Sequence, residues 1–354
     1  MALKILHIAP QNFAGMPIDF VKMHRASGFE SNLITLYRNA VNFEEDICLN
    51  FKLPENKLSK KWRDSKIDLS KPGEQIYSSP KNYFEKIFFK FRDYKNKSTI
   101  YDAVDKYKLF DYDVYHFDGG MDLFRDCRFA KELKRAGKKI VCCYFGSDLR
   151  VRGMFRELDE ISDLNLTVEF DHLKIHKNIN YIFFPFDTDS VKAAQKKNGM
   201  LKIVHSPTNR KYKGTEKIIK VIEKLKRERE FEFILLENME RSRVLEIKSQ
   251  CDIAIDQVGG ESGGTGYGKN SIETLTMGIP TVSEFTEDYL KFIPDSPFIN
   301  SNEDNLSDNL KLLIDNEDLR RDLIKKGKAW VKLHHSYSAV NDKLMELYRM
   351  HKIF

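Results

Sequence analysis

Two stretches of this chain concentrate residues that handle anions. The first, His205-Ser-Pro-Thr-Asn-Arg-Lys-Tyr-Lys-Gly-Thr-Glu216, lies between an apolar strand-like run, Leu201 to His205, and a helix-like run, Thr215 to Glu228. A turn so placed puts backbone N–H groups and the positive end of a helix at the carboxyl edge of a sheet, where α/β proteins bind ligands. Arg210 adds a planar fork and Lys213 a point charge, a pairing suited to a diphosphate. Alone, such a turn also fits solvated surface.

The second stretch runs from Gly259 to Pro280, with five glycines between 259 and 266 plus Gly268. They let the backbone approach a ligand closely where the next helix, Asn270 to Met277, begins. Glu273, about one turn inside that helix, is placed to accept hydrogen bonds from vicinal hydroxyls such as those of a ribose. On its own the glycine run also reads as a loop tip. In one lobe with the Arg210 and Lys213 turn, it becomes half of a nucleotide-diphosphate site.

The elements that must position these residues follow a strand, helix, strand rhythm. Lys4 to Ala9, a loop Pro10 to Gly15, a helical stretch Ile18 to Ala26 and Ser31 to Leu36 make a first unit. Asp113 to Phe117, a helix from Leu123 to Arg135, and Ile140 to Phe145 repeat it, and Tyr181 to Phe184 is expected to close that lobe. The rhythm restarts at Leu201 and runs through Phe231 to Leu236, Met239 to Ser249, Asp252 to Asp256 and Pro280 to Ser283. Such alternation predicts parallel sheets. The expected domains are 1–190, 191–330 and a C-terminal helix, 331–354, packing back on the first lobe.

Composition narrows the function class. The chain has 354 residues, enough for two α/β domains. Its net charge of +6 suits anionic ligands or membranes but is too small to imply nucleic acid, so no nucleic-acid partner is expected. The five cysteines form no C-x-x-C pair and no Cys/His cluster, which argues against both a disulfide framework and structural zinc. No apolar run reaches the ~20 residues of a membrane span, and Met1 leads straight into a strand, so a cytoplasmic location is expected. There is no H-E-x-x-H or Walker motif, and the opening loop lacks G-x-G-x-x-G.

On these residues the chain resembles retaining GT-B glycosyltransferases of the E-x7-E group, a family of two Rossmann-like, doubly wound parallel-sheet domains facing a central cleft. Arg210 and Lys213-Gly214 are similar to the family's phosphate-binding Arg and Lys-Gly, and Tyr267-Gly268, Glu273 and Gly278-Ile-Pro280 to its F-G…E…G-x-P segment. The resemblance covers roughly 201–285. It implies transfer of a sugar from a nucleoside-diphosphate sugar such as a UDP-sugar to a hydroxyl acceptor, with retention and without metal or cofactor. Arg210 and Lys213 would stabilise the departing diphosphate, Glu273 would hold the ribose, and Thr265, Gly266, Tyr267, Gly268, Lys269 and Asn270 would line the donor.

Thr265 stands eight residues before Glu273, where the family carries its first Glu. That departure keeps two other readings open, a catalytically silent GT-B scaffold and a nucleotide-sugar epimerase; Glu261 in the longer loop is a candidate replacement carboxylate. In the first lobe the resemblance implies an acceptor side formed by Gly15, His116 and Asp148, with Asp118, where a sugar-contacting His is common, counted with Arg210 and Lys213 as catalytic. Asp148 lies in Tyr144-Phe-Gly-Ser-Asp148-Leu-Arg150, similar to the H-G-S-D-x-R turn of some relatives. A His or Asp at a strand end also reads as a cap or core polar group. Acceptors consistent with this are a cell-surface polysaccharide, a lipid-linked glycan or a protein glycan.

The segment 82–97 stands apart. Tyr83, Phe84, Ile87, Phe88 and Phe91 share one helical stripe flanked by Lys81, Lys86, Lys90, Arg92, Lys95 and Lys97. Two readings are open: an ordinary amphipathic helix turned to the core, or one lying on an anionic bilayer at the inner face of the cell membrane.

Overall fold

The computed structural model describes residues 3–39, 43–52, 77–80, 82–192, 199–259 and 266–354. Thr265, Glu261 and Lys81 lie outside them. By compactness the chain divides into Met1–Pro185 with Tyr337–Phe354, and Phe186–Ser336.

The first unit runs β1 (Lys4–Ala9), α1 (Met16–Ala26), β2 (Glu30–Thr35), β3 (Ile47–Cys48), α2 (Tyr83–Lys106), β4 (Val114–Asp118), α3 (Arg128–Arg135), β5 (Lys139–Tyr144), α4 (Arg156–Ile161), β6 (Leu164–Thr167), α5 (His172–Ile175) and β7 (Asn180–Tyr181). The second runs β8 (Lys202–His205), α6 (Arg210–Lys213), α7 (Thr215–Leu225), β9 (Glu232–Leu235), α8 (Arg241–Lys248), β10 (Ile253–Ile255), α9 (Lys269–Met277), β11 (Thr281–Ser283), α10 (Glu287–Phe292), β12 (Ile299–Asn300), α11 (Leu306–Asp315) and α12 (Glu317–His335). A final helix, α13 (Tyr337–Met350), belongs to the first unit and packs against α1.

Both sheets are parallel, in the orders β3-β2-β1-β4-β5-β6-β7 and β12-β11-β10-β8-β9. Parallel sheets carry helices on both faces, so their central strands must be apolar throughout. Ile140 to Tyr144 of β5 is buried at every position, as are Ile203 and Val204 of β8. The strand order reverses between β1 and β4 and again between β8 and β10. At such switch points the crossover helices leave to opposite faces, and a crevice opens at the carboxyl ends of the strands.

Several elements differ from expectation. The helix after β4 begins at Arg128 rather than Leu123, because the buried Asp122 carboxylate accepts the amides of Phe124 and Ala130 and holds the intervening chain in a turn, with Cys127 at φ 56°. The closing strand is Asn180–Tyr181, not Tyr181 to Phe184, and it pairs with β6, a short Leu-Asn-Leu-Thr strand whose polar residues hide its character. The core-facing reading of the stripe in 82–97 is overturned: its aromatic residues are exposed, and α2 turns Glu85, Asp93, Ile100, Ala103 and Val104 inward.

Gly120 follows β4 at φ +57°, and a Cβ there would sit 2.3 Å from the Tyr144 ring, itself fully buried on β5. Neither backbone nor ring can give way cheaply in a close-packed interior. Gly120→Ala is expected to destabilise the protein by ~2 kcal/mol or more in a urea melt. An unchanged midpoint would contradict this packing of β4 on β5.

Candidate functional site

The second unit gathers its polar residues at the β8/β10 switch point. Asn209 starts α6 by accepting the Tyr212 amide at 3.1 Å, and Gly214 ends it with φ 63°. A Cβ on Gly214 would fall 1.7 Å from the Val258 carbonyl oxygen. Only glycine lets the turn lie against the strand after β10 this closely. That approach brings the Lys213 ammonium to Asp256 Oδ1 at 2.6 Å and to Gln257 Oε1 at 3.0 Å.

Asp256 is buried and serves both sequence stretches at once. Besides Lys213 it accepts Asn270 Nδ2 at 3.1 Å and the Ser271 hydroxyl, both in the first turn of α9. Burial alone would raise its pKa, but the Lys213 charge and the hydrogen bonds from Lys213, Ser271 and Asn270 outweigh burial and hold the carboxyl below its ordinary value. Asn270 Oδ1 in turn accepts Ser206 Oγ at 2.8 Å and Lys248 Nζ, and Lys248 donates to Glu273 Oε2 at 2.8 Å. Arg241 pairs with the other Glu273 oxygen at 2.5 Å. One continuous network therefore links Lys213, Asp256, Asn270, Lys248 and Glu273.

Arg210 lies beside this network on the surface, its guanidinium divided between Glu216 and Glu237 at 2.8 and 2.6 Å. Those partners keep its pKa above the ordinary arginine value. Lys269 opens α9, and the glycines before it differ in role. Gly266 donates its amide to Glu284 O at 2.7 Å and accepts from Gln257 and Ser283, whereas Gly268 faces open space at the start of α9. Tyr267 is part of an aromatic cluster with Phe285, Tyr289, Phe298 and Trp330, and its hydroxyl bonds His335 Nε2 at 3.0 Å.

In the first unit, His7 on β1 and His116 on β4 are register partners, and Asp118 follows on the same face. His7 Nδ1 bonds Asp118 Oδ2 at 2.8 Å, and His116 Nε2 bonds the Tyr348 hydroxyl of α13. All of these side chains are fully buried, so His116 and Asp118 have no solvent-facing surface. Burial, and then the neighbouring His7, push the His24 and His116 pKa values well below 6.5, so both rings are neutral at pH 7. Burial raises the Asp118 carboxyl against the pull of His7. His7, His116 and Asp118 each place a ligand-type atom within 4.8 Å of the others, a spacing that could hold a metal ion. Asp148 caps its own turn, accepting the amides of Phe145, Gly146 and Leu149 at 2.8 to 2.9 Å. Gly15 caps α1 at φ 69°.

Sequence reading missed Lys248, which sits on a helix rich in charge and gave no sign of being buried. It registered Asp256 only as the end of a strand. The useful signal was available: a carboxylate ending a strand in the lobe that holds Lys213.

No family model matches this chain, and no curated protein matches it by sequence. Its fold does match solved structures. It is similar to an alpha-glucosyltransferase in complex with UDP and a mismatched DNA, with TM-score 0.62 at 11% identity, covering 98% of this chain and 99% of that one. It is similar to Anabaena HepE in complex with UDP and glucose, with TM-score 0.61 at 10% identity, covering 98% and 100%. It is also similar to sucrose-phosphate synthase from Thermosynechococcus elongatus, with TM-score 0.58 at 12% identity, covering 98% of each. The chain thus has the GT-B fold, with two Rossmann-like parallel-sheet units.

His205 closes β8, buried between the Ile255 carbonyl and the Thr215 hydroxyl, each at 2.9 Å, and burial lowers its pKa to about 4 from 6.5. As pH falls below 6.5 the unfolded chain takes up the proton first, so the His205 contribution is intact above pH 6.5 and is lost toward pH 4. The loss amounts to ~1.4 kcal/mol per pH unit in that window. Measured in urea melts at several pH values, the stability of wild type relative to His205→Gln is expected to decline with that slope. A difference independent of pH would contradict the burial of a neutral ring.

Proposed function

We propose that this chain is a glycosyltransferase that takes its sugar from a nucleoside-diphosphate sugar and passes it to an acceptor hydroxyl. The observation that carries this reading is the Asp256-centred network, which joins the Lys213 turn to the first turn of α9 at the β8/β10 switch point. Arg210 and Lys213 are the cations for a diphosphate, next to the α9 N-terminus and the open approach at Gly268. The UDP complexes of the alpha-glucosyltransferase and HepE support UDP as the carrier.

Glu273 is the ribose acceptor in this reading. Lys248 is buried and stays on Oε2, while Arg241 is partly exposed and is the partner that the ribose hydroxyls displace from Oε1. The acceptor oxygen attacks the anomeric carbon on the face from which the bond to the phosphate breaks, and its proton passes to a phosphate oxygen, giving retention without a protein nucleophile. Lys213 and Arg210 offset the charge that grows on the diphosphate, so this reading uses no metal or cofactor. Gly15 and the Asp148 turn supply the acceptor side. His116 and Asp118 act from beneath as positioning residues for the Gly119-Gly120 turn. The acceptor is a glycan of the cell surface, a lipid-linked glycan or a protein.

Thr265, in the place of the family's first Glu, favours a second reading in which the chain binds the nucleotide-sugar without transferring it. Incubation with a panel of nucleotide-sugars and hydroxyl acceptors separates the two through release of nucleoside diphosphate. Transfer is expected to release it, and Lys213→Ala or Arg210→Ala to slow release by roughly 10²- to 10³-fold. Binding without release supports the silent reading, and donor conversion without acceptor supports an epimerase. Full turnover in Lys213→Ala would overturn the role given to that lysine.

A further inference from the structure

Helix α2 is built inside out relative to an ordinary surface helix. Its N-terminus is fixed, with Asn82 Oδ1 accepting the Glu85 amide at 2.9 Å. Its inward face is anchored by polar contacts: Asp93 accepts the Arg125 amide at 2.8 Å, Arg92 reaches the Leu123 carbonyl at 3.2 Å, and the Arg125 guanidinium lies 4.8 Å from the Phe89 ring. Farther along, Tyr101 donates to Glu132 at 2.8 Å, and Ile100, Ala103 and Val104 enter the core. The helix is therefore held to its unit with one rotational setting.

That setting turns the apolar stripe to solvent. Tyr83, Phe84, Phe91 and Tyr94 are 73%, 82%, 62% and 78% exposed, and Ile87 and Phe88 are about half exposed. At 3.6 residues per turn these six positions fall on one face, about half a turn from the buried side. Single exposed aromatics are unremarkable on a soluble surface, but a contiguous row marks an interaction site. On the same turns Lys86, Lys90 and Lys97 line one edge of the stripe and Lys95 the other, all exposed. Aromatic rings between lysines match the interfacial zone of a bilayer, where rings sit at the headgroup level and ammonium groups meet lipid phosphates. A protein partner would need both an apolar groove and an acidic rim, whereas an anionic bilayer supplies the two together. Among the described residues no helix is long and apolar enough to cross a membrane, so contact through α2 is peripheral.

We infer that the Tyr83–Tyr94 face of α2 docks on an anionic lipid bilayer, its rings entering the headgroup region and its lysines holding the lipid phosphates. The inference stands on this helix and does not depend on sugar transfer. The test is flotation of the full chain with vesicles of phosphatidylcholine alone and of phosphatidylcholine with about one-third phosphatidylglycerol, at low salt and at about 0.5 M salt. Binding is expected on the anionic vesicles, weakened by salt. The combined variant Phe84→Ser, Phe88→Ser, Phe91→Ser should bind at least ~10-fold less, and Lys86→Glu or Lys90→Glu about fivefold less each. Lys291→Glu, an exposed lysine on α10 of the other unit, should bind as wild type. These side chains lie outside the core, and an unchanged thermal melt confirms that each variant folds. Absence of binding to anionic vesicles, equal binding by the triple serine variant, or a dimer in sedimentation that this variant dissociates would each overturn the inference, the last by showing that a second copy covers the face.

Discussion

The ion pair between Lys213 and Asp256 is the contact on which the site of the second unit depends. Asp256 directly follows β10 inside the protein, where an unpaired carboxylate would cost several kcal/mol, and losing one partner of such a pair typically costs ~3 to 5 kcal/mol. The lysine must therefore lie over the strand end. It does so because Gly214 allows its turn to touch the Val258 carbonyl. The same carboxylate takes Asn270 and Ser271, so the start of α9 is fixed against the same point. A single buried charge thus brings together two segments more than fifty residues apart in sequence.

The first unit solves a similar problem differently. At its switch point, where β1 lies beside β4, His7 Nδ1 is hydrogen-bonded to Asp118, and the His24 and His116 rings beside them are kept neutral by burial. The Tyr348 hydroxyl reaches His116 from α13, so the last helix of the chain seals this cluster. The Gly119-Gly120 turn that follows β4, and Gly15 at the end of the β1 loop, are buried as well.

Much of this was legible in the sequence, for identifiable reasons. The strands of both sheet centres read as apolar runs because parallel strands are buried on both faces. The Arg210 to Gly214 turn and the Gly266 to Glu273 segment each also fit ordinary surface, and they stood out only because both fall in one lobe beside a helix start. Short edge strands did not, since Ile47–Cys48 and Ile299–Asn300 are two residues each and carry no periodicity. Neither did Lys248, whose burial depends on Glu273 and Asn270 arriving from another helix. In α2 the sequence showed a stripe but not its direction. The stripe faces out because Asp93 and Arg92 find partners in the 121–127 turn, a contact that no local pattern announces.

The most direct test of the central claim is amide hydrogen exchange of the full chain with and without saturating UDP. The account predicts that segments 209–215 and 268–274 gain protection together, because Asp256 ties both to one nucleotide site. Protection confined to one of them, or to neither while UDP binds elsewhere, would contradict it.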